Sequence, residues 1–199
     1  ETAALVDEAG ALAPGSVTAG VSWLGYEAPQ WNTELIEPDR SVAATGPAAV
    51  GASALAGVLE ALGDRRHGDS APEVTVVAHS YGTVVAAQAV AAGAPVDAVV
   101  LMGSPGWSDR AAATAPGPVH VAEARWDPVA DLGWFGPDPS ERPDTDALDI
   151  AGTVGHADYL EPGSAAARAV AAVVAGVPGP PAPRTVDLAD VARFVLGVL

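Results

Sequence analysis

The stretch EVTVVAHSYGTVVAAQAV, Glu73 to Val90, carries the residues best spaced for chemistry. A β-branched apolar run delivers Ser80 into a turn, with Ala78 two residues before it, Gly82 two after it, and an Ala/Val-rich helical pattern beyond. A strand that turns sharply into a helix projects such a serine from the sheet edge. It also aims the next N–H, that of Tyr81, at the point where negative charge develops on an attacked carbonyl. Glycine is usual two positions before the serine, and alanine adds one methyl group there.

A serine hydroxyl needs a base, and the base needs an acid to orient it. Behind an elbow of this kind the order along the chain is serine, acid, histidine. Asp127 follows the strand-like VHVAEA and precedes Pro128, which ends the strand at the aspartate, so it is the best-placed acid. Asp131 is second and Asp149 third. His156, in GTVGHADYL, sits between glycine turns and the last large helical pattern, where a loop histidine can swing over a sheet edge. The other histidines fit less well: His79 alternates away from Ser80, His120 lies within a strand, and His67 is in a polar turn beside Arg65 and Arg66. Trp107, Trp126 and Trp134 fall just past strand ends and read equally as an apolar substrate-binding rim or as plugs under long loops.

The elements that must hold these residues follow from periodicity. Residues 1–13 read as a helix, Val17–Gly25 as a strand, Tyr26 to about Thr45 as a loop, and the alanine-rich stretch ending near Arg66 as a helix. EVTVVAHS, DAVVLMGSPG and VHVAEARWD read as strands, the first a short continuous apolar run of the kind covered on both faces. GTVVAAQAVAAG and GSAAARAVAAVVAG, the latter with Ser164 as N-cap, read as helices. Strands alternating with helices predict an α/β fold, a mostly parallel sheet with helices on both faces. The acidic, Pro-rich connection from Asp127 to Gly155 is long enough to be a lid or binding element. The expected organisation is a domain over 1–175, a Pro-rich linker over 176–184 and a docked terminal helix over 185–199.

Composition narrows the function classes. The 199 residues are 49% hydrophobic and 17% charged, which suits one domain with a sizeable core. Nine basic residues, all arginine, face 25 acidic ones; the net charge of −16 argues against nucleic acid and anionic membranes as partners. The absence of cysteine excludes disulfides and thiolate catalysis and leaves the compartment open. Asp138, Glu141, Asp144, Asp146 and Asp149 match no calcium-loop spacing, so no metal or cofactor is expected. No apolar run approaches the ~20 residues that span a bilayer. The first residue is Glu1 rather than methionine, and an upstream segment is expected to have been removed by processing or truncation.

Together, AHSYGTVVAAQA, ARWDPVADLGWFG, GHADYL and VSWLGYEAPQW resemble the actinobacterial α/β-hydrolases grouped as DUF1023, over most of residues 1–175. The resemblance implies an α/β-hydrolase fold with Ser80, Asp127 and His156 as a catalytic triad and says little about substrate. In such hydrolases one oxyanion donor is the N–H after the nucleophile, here Tyr81, and a second comes from a loop after an earlier central strand. In the family that loop resembles a Pro-Gly-Thr-Gly stretch, absent here. The expectation is that an upstream segment or a partner chain completes the sheet and supplies the donor, or that Gly25 or Tyr26 does so. The reading is a serine hydrolase acting on a small-molecule or lipid-like ester. The alternatives are a catalytically silent interaction or structural module of the same fold, or a thioester or lactone hydrolase.

Overall fold

The computed structural model describes residues 1–29, 41, 43–64 and 72–179. Along them run α1 (Thr2–Leu12), α2 (Gly46–Gly63), β1 (Thr75–His79), α3 (Tyr81–Ala91), β2 (Ala98–Met102), α4 (Asp109–Thr114), β3 (Val119–Ala122), β4 (Asp146–Ala147) and α5 (Ala165–Val174). The strands form one parallel sheet in the order β1-β2-β3-β4. Parallel neighbours need crossovers, which α3 and α4 supply for the first two pairs.

Residues alternate across β2 between two apolar layers. Val99 and Leu101 join Ala52, Leu55 and Leu59 of α2 and Val84, Val85 and Val90 of α3. Val100 and Met102 join Tyr159 and Val170, with Leu5 of α1 packed alongside. Burial on both faces explains why the sequence reads as continuous apolar runs rather than strict alternation. Each fully buried Val or Leu contributes roughly 1.5–3 kcal/mol over an exposed one. Most of α3 is buried, as its nearly all-apolar sequence requires. α2 starts with Pro47 in its first turn and packs on α3 through Ala48, Gly51, Ala52, Leu55 and Leu59. α5 is capped as expected: Ser164 Oγ accepts from Ala167 N–H at 3.0 Å, and the helix packs against α1.

Val17–Gly25, read as a strand, is not one: no ladder forms there, and Val17, Val21 and Leu24 are 98%, 78% and 76% exposed. Apolar patterning makes a strand only where a neighbour pairs its backbone. Among the described residues nothing pairs with the outer edge of β1 either. Trp23 of this stretch and Tyr26 just after it turn inward, stacking at 6.0 Å and packing on the α2/α3 layer. Helix α2 ends at Gly63 rather than near Arg66. The expected linker is described only to Gly179, and the expected helix at 185–199 lies outside the described residues.

The acidic connection between β3 and β4 is built rather than loose. Two short 3-10 turns, Ala130–Leu132 and Pro139–Glu141, lie within it. Arg142 donates to both carboxylate oxygens of Asp144, at 2.9 and 3.0 Å, and to Asp109 of α4 at 2.8 Å, a fork geometry that fixes the loop against the helix. Glu123, Asp131 and Asp138 bring carboxylate oxygens within 4.8 Å of one another where both turns meet the end of β3. Burial, reinforced by the charges of Asp138 and Asp131 and opposed by a bond from Ser140, raises the Glu123 carboxyl to about 7. The folded chain therefore holds a proton that the unfolded chain has released, and stability falls as pH rises from the ordinary carboxyl value toward 7. Glu123→Gln is expected to match the wild type near pH 4 and to melt about 2–4 °C higher at pH 8, the shift that ~1 kcal/mol produces in a chain of this size. Thermal unfolding at the two pH values checks this; an equal gap at both would contradict it.

Candidate active site

Ser80 occupies the turn between β1 and α3 with φ 55° and ψ −131°, a conformation costly for any residue but glycine. Neighbouring bonds hold it there. Its N–H donates to Met102 O of β2 at 2.9 Å, and its carbonyl accepts from Thr83 N–H at 2.9 Å and Thr83 Oγ1 at 2.7 Å. Thr83 Oγ1 in turn meets Ser104 Oγ at 2.9 Å, and both residues are buried. This hydroxyl pair braces the elbow from beneath. Tyr81 opens α3, so its N–H belongs to the helix-start donors that lack an intrahelical acceptor.

Ser80 Oγ lies 2.6 Å from His156 Nε2, and His156 Nδ1 lies 2.9 Å from each carboxylate oxygen of Asp127. A carboxylate only accepts, so Nδ1 carries the proton toward Asp127, and Nε2 is left to accept from the serine hydroxyl. Asp127 is 1% exposed. Burial alone would raise its pKa, but bonds from Tyr159 O–H at 2.6 Å, His156 and Val129 N–H at 2.9 Å outweigh it and hold the carboxyl below its ordinary value. The Tyr159 hydroxyl, which also accepts from Ala124 N–H at 2.9 Å, is pushed up by burial and by that same carboxylate. The approach needs a glycine in β2's continuation: at Gly103, φ 54°, a Cβ would sit 2.5 Å from Asp127 Oδ2 and 3.0 Å from His156 Nδ1.

The structure thus brings Ser80, Asp127 and His156 into one hydrogen-bonded line, with Tyr81 N–H beside the serine. The three tryptophans separate. Trp134 lines a cleft of about 200 Å³ over Ser80, together with Tyr26, Pro29, Val129, Leu132 and Phe135. Burial pushes the Tyr26 phenol up to about 12, with Tyr81 adding to it, so it stays neutral there. Trp107, offered equally as a substrate-binding rim or a plug, is the plug: it is 0% exposed within the α2/α3 layer, where Gly106 and Gly136 let two loops cross closely beside it. Trp126 is 80% exposed, at φ 66°, and is not among the cleft-lining residues. Asp131 faces Glu123 and Asp138, and Asp149 accepts from Ala151 N–H, so neither competes for His156. Glu123, Asp131 and Asp138 form the one grouping among the described residues with oxygens close enough for a cation. His67 lies outside the described residues.

Sequence reasoning missed Tyr159, Gly103, the Thr83–Ser104 pair and His79. Tyr159 stands three residues after His156 in GHADYL, and a tyrosine at that offset in a loop is a visible signal; the others depend on contacts that spacing does not reveal. Tyr159→Phe leaves a buried carboxylate oxygen and the Ala124 N–H short of a partner, at an expected cost of about 1–3 kcal/mol. Asp127 is depressed, so its contribution to stability is present at neutral pH and lost as pH falls through its folded value. The phenylalanine variant should therefore lose less stability than the wild type between about pH 5 and pH 2. Urea unfolding across that range measures it, and parallel curves would count against the assigned bond.

A family model described as alpha/beta hydrolase matches residues 1–137, an interval that contains Ser80 and Asp127 and ends before His156. The chain is similar to two uncharacterized proteins of Mycobacterium tuberculosis (strain H37Rv). Rv2079 is 36% identical over 135 residues, covering 65% of this chain and 20% of the relative. Rv0963c is 29% identical over 162 residues, covering 76% and 56%. The Mycobacterium bovis protein Mb0988c is similar to the same extent as the latter. The chain therefore spans between a fifth and just over half the length of these relatives. No solved structure matches it. With a parallel sheet flanked by helices, a strained serine at the strand-to-helix turn and a family match over most of its length, the chain belongs to the alpha/beta hydrolase family.

Proposed function

We propose that the chain is a serine hydrolase that cleaves a small, uncharged carboxylic ester through an acyl-enzyme. The observation that carries this reading is the 2.6 Å contact between Ser80 Oγ and His156 Nε2, backed by a buried, multiply bonded Asp127. Ser80 Oγ attacks the carbonyl carbon while its proton passes to His156 Nε2. Asp127 stabilises the imidazolium, and Tyr81 N–H donates to the oxyanion. The tetrahedral adduct collapses, the C–O bond to the alcohol breaks, and His156 returns the proton to the leaving oxygen. Water then gives its proton to His156 and attacks the acyl carbon, and Ser80 leaves with that proton restored.

Cleft chemistry narrows the substrate. Its walls are largely aromatic and aliphatic, no arginine is among the described residues that line it, and the chain carries a net charge of −16. Short apolar or aryl acyl groups fit such a volume, and anionic ones meet repulsion from the net charge with no cation among the described lining residues to offset it. Thioesters and lactones would use the same machinery, and a neutral substrate panel separates them.

A second oxyanion donor comes, on this reading, from a strand along the edge of β1, where nothing pairs among the described residues, supplied from elsewhere in the polypeptide or by a partner chain. That edge and the exposed apolar side chains Val17, Val21 and Leu24 support it. The same open edge favours the alternative of a catalytically silent interaction module.

A fluorophosphonate probe distinguishes the two: the hydrolase takes the label at Ser80, and a folded wild-type protein that stays unlabelled is the silent module. Ser80→Ala should abolish labelling and lower aryl-ester turnover by roughly 10⁶ where the residues act as a unit. Asp127→Asn should lower kcat by roughly 10⁴, because the carboxamide stabilises the wrong tautomer.

A further inference from the structure

We propose that His79 is a positioning residue for His156, a main-chain clamp that ties the loop bearing the base to the strand bearing the nucleophile. The inference rests on the hydrolase reading and names a residue that the Ser80–His156–Asp127 line does not include. His79 ends β1, immediately before Ser80. Its Nε2 lies 2.6 Å from the main-chain carbonyl of His156; since a carbonyl only accepts, Nε2 carries the proton and donates it. The two rings pack at 4.7 Å between centroids, and the His79 ring lies 5.7 Å from that of Tyr159.

Among the described residues, the other restraints on the loop around His156 run to the segment after β3, beginning with the His156–Asp127 bond. Gly155 N–H donates to Arg125 O at 3.1 Å, and Tyr159 holds Asp127 and Ala124. Both of those anchors reach the segment after β3. Among the described residues, the His79 bond is the tie from the main chain of this loop to β1, and it governs where the imidazole stands relative to Ser80 Oγ. A displacement of about 1 Å between reacting groups can cost 10²-fold in rate.

The clamp also has a charge requirement. The groups facing His79 are His156, Tyr159, Asp127 and Glu1 at the start of α1. Burial pushes the His79 pKa down, more than the carbonyl bond and the Asp127 charge pull it up, and a charged His156 lowers it further. A neutral His79 still donates through Nε2 while leaving room for His156 to become cationic during the reaction. Protonating His79 sets a second positive charge against that imidazolium, so acid should weaken the site through His79.

The test compares His79→Phe, which keeps a packed ring and removes the donor, with His79→Gln, which keeps an N–H donor and removes the ring and its titration. Two readouts are used on the full chain: the second-order rate of fluorophosphonate labelling at Ser80 across pH, and the low-field proton resonance of His156 Nδ1–H bonded to Asp127. His79→Phe is expected to label about 10- to 100-fold more slowly and to broaden the resonance. His79→Gln is expected to keep the resonance, recover most of the rate and lose one proton from the acid limb of the profile. A phenylalanine variant with wild-type rate and an intact resonance overturns the clamp. If the wild type takes no label, the hydrolase reading fails by itself; the resonance still decides the clamp, its loss in His79→Phe supporting it and its persistence overturning it.

Discussion

A carboxylate taken out of water is stable only when donors surround it, and the site is organised around that requirement at Asp127. Removing an ion from water costs several kcal/mol even after relaxation, so a carboxylate at 1% exposure must find its solvation in the protein. It finds it in Tyr159 O–H, His156 Nδ1–H and the Val129 N–H of the turn that follows. Each of these bonds also performs a second task. The histidine bond sets the tautomer that faces Ser80, the tyrosine bond fastens the far side of the His156 loop, and the turn carries Val129 and Leu132 onto the cleft wall.

The fold supplies these donors from separate parts of the chain because a parallel sheet gathers strand ends along one edge. β1 brings Ser80, β2 continues into Gly103, and β3 leads through Ala124 to Asp127. Gly103 is where packing and chemistry meet: without a side chain there, the carboxylate and imidazole can lie across the end of β2. The crossing of Gly106 and Gly136 plays the same part for the cleft, with Trp107 buried beside it and Trp134 and Phe135 on the cleft wall.

Much of this was legible in the residues, and the limits have physical causes. The β1-turn-α3 unit, the burial of β2 and the Ser164 cap are local patterns of propensity and periodicity, and each appears where its pattern stands. The pairing of Asp127 with His156 was legible as order along the chain, because the topology imposes that order. Val17–Gly25 misled because its apolar pattern specifies a face and not a partner; with no strand beside it among the described residues, Val17, Val21 and Leu24 stay exposed. Helix α4 and the two-residue β4 were hidden, one being six residues long and the other held by register with His120 and Val121. The tryptophans could not be sorted from sequence, since a rim and a plug differ only in which loops cross above them.

The claim at the centre is that Ser80 becomes covalently acylated with His156 and Asp127 in support. Mixing the protein with excess p-nitrophenyl acetate, quenching within milliseconds to seconds and reading both nitrophenol release and protein mass tests it most directly. The account expects a burst of about one nitrophenol per chain and one acetyl group mapped to Ser80, as an acyl-enzyme requires. Linear release with no burst and no acetyl group on Ser80 would contradict it.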